Sequence, residues 1–494
     1  MSERNVHVGI KGKPNLLFIF TDEQRADTLG CYGNRLVQTP NLDRLAADSF
    51  VFENAYVTQS VCTPSRSSIM TGLYPHTTGC TRNNIPLRPD TPTIAEMVSS
   101  DYLCGYYGKW HLGDEVVAQH GFEDWVSIED TYRRYYTRPE YLSRFSSYYH
   151  FLIKNGFEPD EERGGAVVFS RRTAAGLAEE FTKARFLGRE AARFIRSHAN
   201  HPFILYVNFL EPHPPTFGPL DDLYRPDELP LGPTFNQQPA DDAARINQVL
   251  ARYYMSRHDE FGEDLRTEIG LRRLRAKYLG LVTLVDRAVG DILQALEDSG
   301  QADRTIVVFT SDHGDMMGDH GLIRKCVNYE EAVKAPLIIR VPWLDSGGRR
   351  IEGRVSQIDL VPTLLDLLGE PIPNGPQGVS RADVLRGRAT LADNDVFFEW
   401  NGTDSWEKAA RSVGLSDEEW EQIHGPWRSV ISAEGWKLNL SPVDRCELYN
   451  LNEDPYEQHN RFDDPACRAE VDDLTDRIRR WQARTGDDAP LPER

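Results

Sequence analysis

The sequence lacks any apolar run near the roughly 18 to 20 residues that cross a bilayer. Its first hydrophobic stretch, Leu16 to Phe20, stops at Thr21-Asp22-Glu23, too short for a signal-peptide core, and reads as a buried strand. No transmembrane segment or leader is expected. Cysteine is scarce, seven residues in 494 without CxxC spacing, and the odd count argues against a disulfide framework. Free thiols in a reducing compartment follow, with the cytoplasm as the expected location. Basic residues are outnumbered, 56 against 76, for a formal charge of −20. That field disfavours nucleic acid and anionic membrane as partners, so an anionic substrate needs local cations or a metal to draw it in. Internal repeats and low-complexity tracts are also missing.

What is present is a chain 40% hydrophobic and 27% charged, enough for a large buried core. Short runs rich in β-branched or aromatic residues occur at 16–20, 203–207, 305–309 and 336–341, each bounded by polar, Gly or Pro residues. Between them, Ala178 to Ser197 and Leu279 to Leu296 keep a 3.6-residue apolar period. Alternation of strand and helix predicts an α/β fold with a large, mostly parallel central sheet flanked by helices. Loops at the carboxyl ends of such strands hold the site. Pro371, Pro373, Gly375, Pro376 and Gly378 read as a linker. We expect a catalytic unit at 1–375 and a smaller C-terminal α/β subdomain at 376–494. Its strand candidates lie near 397–400 and 430–440, and a helix is expected from about Cys467 to Arg484.

Two features carry chemistry. Asp22-Glu23 and Asp312-His313 each follow an apolar run, so the fold can bring them to one sheet edge, where they suit a hard cation. The second feature is Cys62-Thr63-Pro64-Ser65-Arg66 with Thr71-Gly72 downstream. Pro64 fits the first turn of a helix. A thiol at that terminus beside Arg66 is either a buried small residue or an activated thiolate.

The Cys62, Pro64, Arg66 triplet resembles the sulfatase signature, in which cysteine is converted to formylglycine. The resemblance to sulfatases, of the alkaline phosphatase superfamily, extends over most of the chain. It includes Thr39 to Asp43, Gly72 to His76, Gly108-Lys109-Trp110-His111-Leu112-Gly113, Pro212-His213-Pro214, Gly321 to Pro336 with Lys325, and Glu447 to Leu451. It implies an alkaline phosphatase-like fold and a sulfuric ester hydrolase. Formylglycine at position 62, installed by a formylglycine-generating enzyme, would as its hydrate attack sulfur with one hydroxyl and expel sulfate through the other. Asp22, Glu23, Asp312 and His313, with residue 62, would hold one divalent cation. Calcium is implied, with manganese or magnesium as competitors. Arg66 and Lys109 would steady the nucleophile and His111 would accept the proton that drives sulfate release. His213 and Lys325 would face the ester oxygen, one of them protonating the leaving alcohol.

Two departures stand out. Many sulfatases carry paired Asp where this chain has Asp22-Glu23, and Asn where it has His313. Tyr132 to Phe151, dense in Tyr, Phe and Arg, reads as a sugar- or sulfate-facing element or equally as a packed lid or subunit contact, and Phe217 to Phe261 reads as a rim. The alcohol half of the substrate, a sugar, an aryl group or a small alkyl group, is open, as is oligomeric state. Rival readings are a phosphonate monoester or phosphodiester hydrolase and a non-catalytic binding protein with unmodified Cys62.

Overall fold

The computed structural model describes residues 12–163, 166–402, 405–421 and 423–493. All four expected strand runs enter one eight-stranded sheet. Its members in chain order are β1 (Asn15–Asp22), β2 (Phe50–Tyr56), β3 (Leu103–Gly108) and β4 (Asp124–Ser127), then β7 (Phe203–Pro212), β8 (Thr305–Ser311), β9 (Lys334–Arg340) and β10 (Arg350–Ser356). A separate hairpin pairs β5 (Asp160–Arg163) with β6 (Ala166–Phe169). The spatial order is β10-β2-β9-β8-β1-β7-β3-β4. Neighbours pair in parallel except where β9 meets β2 and β8.

β1 reads as an unbroken apolar run because helices cover both sides of it. Leu17 and Ile19 pack with α2 (Lys183–Ser197) and α3 (Glu268–Asp298). Leu16, Phe18 and Phe20 pack on the opposite face with residues of α1 (Cys62–Thr71) and α4 (Leu360–Leu368). Each such fully buried side chain contributes about 1.5–3 kcal/mol.

Boundaries differ from the periodicity in instructive ways. The helix expected from Ala178 begins at Lys183, because Thr182 caps it by accepting from the Arg185 amide. The helix expected at 279–296 runs from Glu268 to Asp298. The candidate strand 430–440 is a hairpin of β12 (Trp427–Ile431) and β13 (Trp436–Leu440), turning at Gly435 with φ +96°. With β11 (Val396–Trp400) and β14 (Glu447–Asn450) these form a four-stranded antiparallel sheet. Val471, Leu474, Ile478 and Trp481 of α5 (Arg468–Thr485) pack with Val430, Leu438 and Leu448 of that sheet. All seven cysteines are free. No helix among the described residues is long and apolar enough to cross a membrane.

Candidate active site

Register alone brings the two acidic pairs together. β1 and β8 run in parallel with Thr21 opposite Ser311, so Asp22 and Asp312 leave the sheet side by side, and the Asp312 amide donates to the Thr21 carbonyl. Cys62 is the first residue of α1, and the ends of β3 and β7 deliver Lys109 and His213 to the same edge. Gly108, at φ +128°, is required before Lys109 because a Cβ there would sit 1.9 Å from the Asn208 carbonyl oxygen.

The Cys62 Sγ lies 3.5 Å from Asp22 Oδ1, 3.4 Å from His313 Nε2, 2.9 Å from Lys325 Nζ and 3.8 Å from Lys109 Nζ. Burial first, then the Asp22 charge, push its thiol up to about 11. Exclusion from water and an adjacent carboxylate favour the neutral thiol here, against the two lysines.

Arg66 is 1% exposed, and its Nη2 stands 2.7 Å from Asp22 Oδ2 and 2.8 Å from Asp312 Oδ2. Lys109, fully buried, donates to Asp22 Oδ2. Burial opposes the charge on Asp22, yet Lys109, His213, Arg66 and Lys325 hold its carboxyl well below the usual range. Lys325 contacts Glu23 Oε1, and Cys62 and the surrounding acids raise its pKa against burial. Burial lifts Glu23 to about 7.

The histidines are oriented through their other ring nitrogen. His313 Nδ1 is 2.9 Å from the Gly314 carbonyl oxygen, so it donates there and turns the Nε2 lone pair toward Cys62 and Asp312. His213 Nδ1 donates to the Pro214 carbonyl at 2.7 Å, which leaves Nε2 3.5 Å from Glu23 Oε1. Burial and then Lys109 drive His213 and His111 well below the ordinary histidine value. His111 Nε2 is 3.0 Å from Asn84 Oδ1, and its ring stacks on Tyr132 at 3.9 Å. Both amides of Trp110 and His111 donate to Glu115, which fixes the turn.

The donors fit a divalent cation. Asp22, Cys62, Asp312 and His313 offer ligand atoms within 4.8 Å of one another. Asp312 Oδ2, close to Arg66 but outside hydrogen-bond geometry, and Glu23 Oε2 are buried carboxylate oxygens with no hydrogen-bond partner. Glu23 falls in a second group, with Asp22, Cys62 and His213, rather than with Asp312 and His313. Its left-handed backbone, φ 65°, and its contact with Lys325 aim it there.

Cys62, Arg66, Lys109, His213, Lys325 and the four candidate ligands thus converge, whereas His111 stands on the wall beside them. His320 is held apart, stacked on Tyr329 at 3.9 Å. Near the end of the Phe217 to Phe261 segment, Glu260 pairs with Arg324, next to Lys325. Sequence reasoning missed Asn208, whose Oδ1 accepts from Arg66 at 2.6 Å, and Glu115. A polar residue inside the apolar run 203–210 was the available signal for the first; the second had none.

Comparison with known proteins matches residues 14–370 to the sulfatase family, and residues 318–484 to the C-terminal region of N-sulphoglucosamine sulphohydrolase. The multifunctional alkaline phosphatase superfamily protein PehA of Trinickia caryophylli is 26% identical over 95% of both chains. The N-acetylglucosamine-6-O-sulfatase of Bacteroides thetaiotaomicron is 25% identical, covering 91% of this chain and 83% of its own. The phosphonate monoester hydrolase SpPMH from Silicibacter pomeroyi superposes with a TM-score of 0.77 at 26% identity over 96% of each chain. With its central sheet, the helix that Cys62 opens and most of its length inside the family's match, the chain belongs to the sulfatase family, sulfuric ester hydrolases of the alkaline phosphatase superfamily.

Proposed function

We propose that this chain hydrolyses a sulfate monoester at Cys62 after its conversion to formylglycine by a formylglycine-generating enzyme. One divalent cation, calcium before manganese or magnesium, would be held by Asp22, Asp312, His313 and residue 62, with Glu23 approaching from the leaving-group side. The position of residue 62 carries this reading: it opens a buried helix and meets Asp22, His313 and Lys325 within 3.5 Å.

When present, formylglycine supplies a hydrated aldehyde with two hydroxyls, and the cation supplies Lewis-acid polarisation of the sulfate. The chain's own residues do the rest. Arg66 and Lys109, pinned on Asp22, stabilise negative oxygen at residue 62. His111, neutral, accepts the proton whose loss drives sulfate release. Lys325 donates to the leaving oxygen, since it stays protonated while His213 stays neutral and positions the ester. Residues 1–375 are the unit that carries this chemistry, and 376–494 buttress it. A sulfated saccharide is the favoured substrate class, in keeping with the N-acetylglucosamine-6-O-sulfatase among its relatives.

A second reading, a phosphonate monoester or phosphodiester hydrolase, draws on the likeness to SpPMH. A dianionic phosphate monoester suits the site less, because the two candidate donor groups share Asp22 and Cys62 and so offer one cation site rather than two independent ones. A binding protein with unmodified Cys62 is opposed by the presence of every candidate group. The mass of the tryptic peptide containing residue 62 tests the nucleophile; active protein with a wholly unmodified thiol would sink it. Values of kcat/KM for matched aryl sulfate, phosphate monoester, phosphodiester and phosphonate monoester test the reaction. A phosphodiester or phosphonate value well above that for sulfate establishes the second reading.

A further inference from the structure

Beyond the groups that face the sulfate, the catalytic edge carries a second charged cluster. Glu129, just past β4, is fully buried and bridges two cations. One Glu129 oxygen accepts from Arg171 Nε at 3.0 Å and from Arg171 Nη2, and the other contacts Lys183 Nζ. Burial opposes ionisation of Glu129, but Arg171 and Lys183 lower its pKa to about 2. Glu211 and Asp130 also lie near Lys183 but make no ion pair with it, and burial raises the pKa of both. Two cations thus share one firmly ionised carboxylate. An incompletely neutralised buried cation is costly, and an incoming anion relieves that cost.

The two cations are not equivalent. Lys183 is 4% exposed and lies over the Phe169 and Tyr148 rings, enclosed by protein. Arg171, at 18%, is the open one. Its guanidinium sits 5.2 Å from the centre of the Tyr132 ring, the ring that stacks on His111 and lies 5.4 Å from Lys109 Nζ. Arg171 also lines a small cavity together with His213 and Phe217. It therefore spans the wall between His111 and His213. Ser170 holds it there by capping the short helix that Arg171 begins, accepting from the Thr173 amide. In the Tyr132 to Phe151 segment, other Arg and aromatic side chains pair among themselves, Arg133 with Phe145 and Arg144 with Tyr141.

We propose that Tyr132 and Arg171 form a specificity subsite on the leaving-alcohol side, which takes an anionic group, a carboxylate or a further sulfate, carried by the alcohol half of the substrate. The planar guanidinium, already anchored by one edge on Glu129, offers a preorganised donor for such a group, and the Tyr132 face supports the ring that bears it. The proposal rests on the sulfate-ester reading of the site.

The test compares the aryl sulfates of 2-, 3- and 4-hydroxybenzoate with those of the matching hydroxybenzamides, which keep the shape and lose the charge. Matured wild type is expected to favour at least one carboxylate isomer over its amide by about tenfold or more in kcat/KM, chiefly through KM, and the ratio should shrink as salt rises from 0.05 to 0.5 M. Arg171→Gln should bring that ratio close to one, and Arg171→Lys, which keeps the charge and still pairs Glu129, should retain part of it. Equal turnover of acid and amide in all three wild-type pairs, or an unchanged ratio in Arg171→Gln, overturns the subsite while leaving sulfate hydrolysis standing. Wild type inert on all six sulfates overturns the subsite, and inertness that extends to sulfated monosaccharides overturns the sulfate-ester reading with it.

Discussion

Arg66 and Arg428 are both almost wholly buried, 1% and 3% exposed, yet one sits at the candidate site and the other on β12 of the C-terminal sheet. Arg428 is saturated. Its Nε and Nη2 each reach one oxygen of Asp487 at 2.6 Å, and its Nη1 donates to the carbonyls of Trp400 and Trp427. Arg66 is not: its Nε has no partner, it shares Asp22 with Lys109, and the Asp312 oxygen it approaches is without a hydrogen bond. A closed two-ion pair stabilises a fold and offers nothing to a ligand. An open cluster of cations and carboxylates stores binding capacity, at a cost to stability that the rest of the sheet must bear.

The sharpest way to break this contrast is Asp312→Ala in the matured enzyme. We expect turnover to fall by at least about a thousandfold, with bound metal lost in parallel and the unfolding midpoint little changed. EDTA should reproduce the loss. Full activity in thoroughly metal-stripped protein would remove the cation from the reaction. Arg428→Ala should do the opposite: it strands Asp487 and destabilises the protein by about 3–5 kcal/mol in chemical denaturation, while kcat of the folded fraction stays within a few-fold of wild type. A kcat collapse at unchanged stability would place Arg428 in the chemistry.

The smallest expected effect lies where the two regions meet. His76, which follows α1, pairs with Glu399 of β11 through Nδ1 and donates its amide to the other Glu399 oxygen at 2.8 Å. Burial alone would lower its pKa; the hydrogen bond and charge of Glu399 raise it above the ordinary value, Asp487 adding to this and Arg428 opposing it. A raised histidine pKa contributes stability that is fully present below the unfolded value of about 6.5 and disappears as pH rises through the folded value. His76→Asn should therefore cost about 1 kcal/mol at pH 5.5 and distinctly less at pH 9, read from denaturation curves at both. An identical cost at the two pH values would mean that packing on Tyr74 and Trp481, not charge, is what His76 supplies.

Strand positions were legible because β1, β7, β8 and β9 are covered on both faces, and burial on both faces writes itself as a continuous apolar run. β14 was not legible: four residues with a polar residue at each end, Glu447 and Asn450, carry no periodicity, and only pairing with β13 makes them a strand. The start of α2 was misplaced for the same kind of reason. Phe181 continues the apolar spacing but belongs to a preceding short 3-10 turn, and the cap at Thr182 decided the boundary.

By itself the sequence determined the sheet-centred class, the signature segment at Cys62 that resembles the family's and the list of charged groups that the fold gathers around it. Each of these is local: a run, a turn signal or a short motif with its residues a few positions apart. Tertiary structure decided how those groups divide the work. Glu23 faces His213 and Lys325 rather than Asp312 and His313, and Tyr132 reaches His111. Arg66 finds Asn208, and Arg171 stands between Tyr132 and the cavity it lines with His213. These contacts join residues tens to hundreds of positions apart. Their directions depend on strand register and on backbone turns such as the left-handed Glu23, which no composition or spacing encodes.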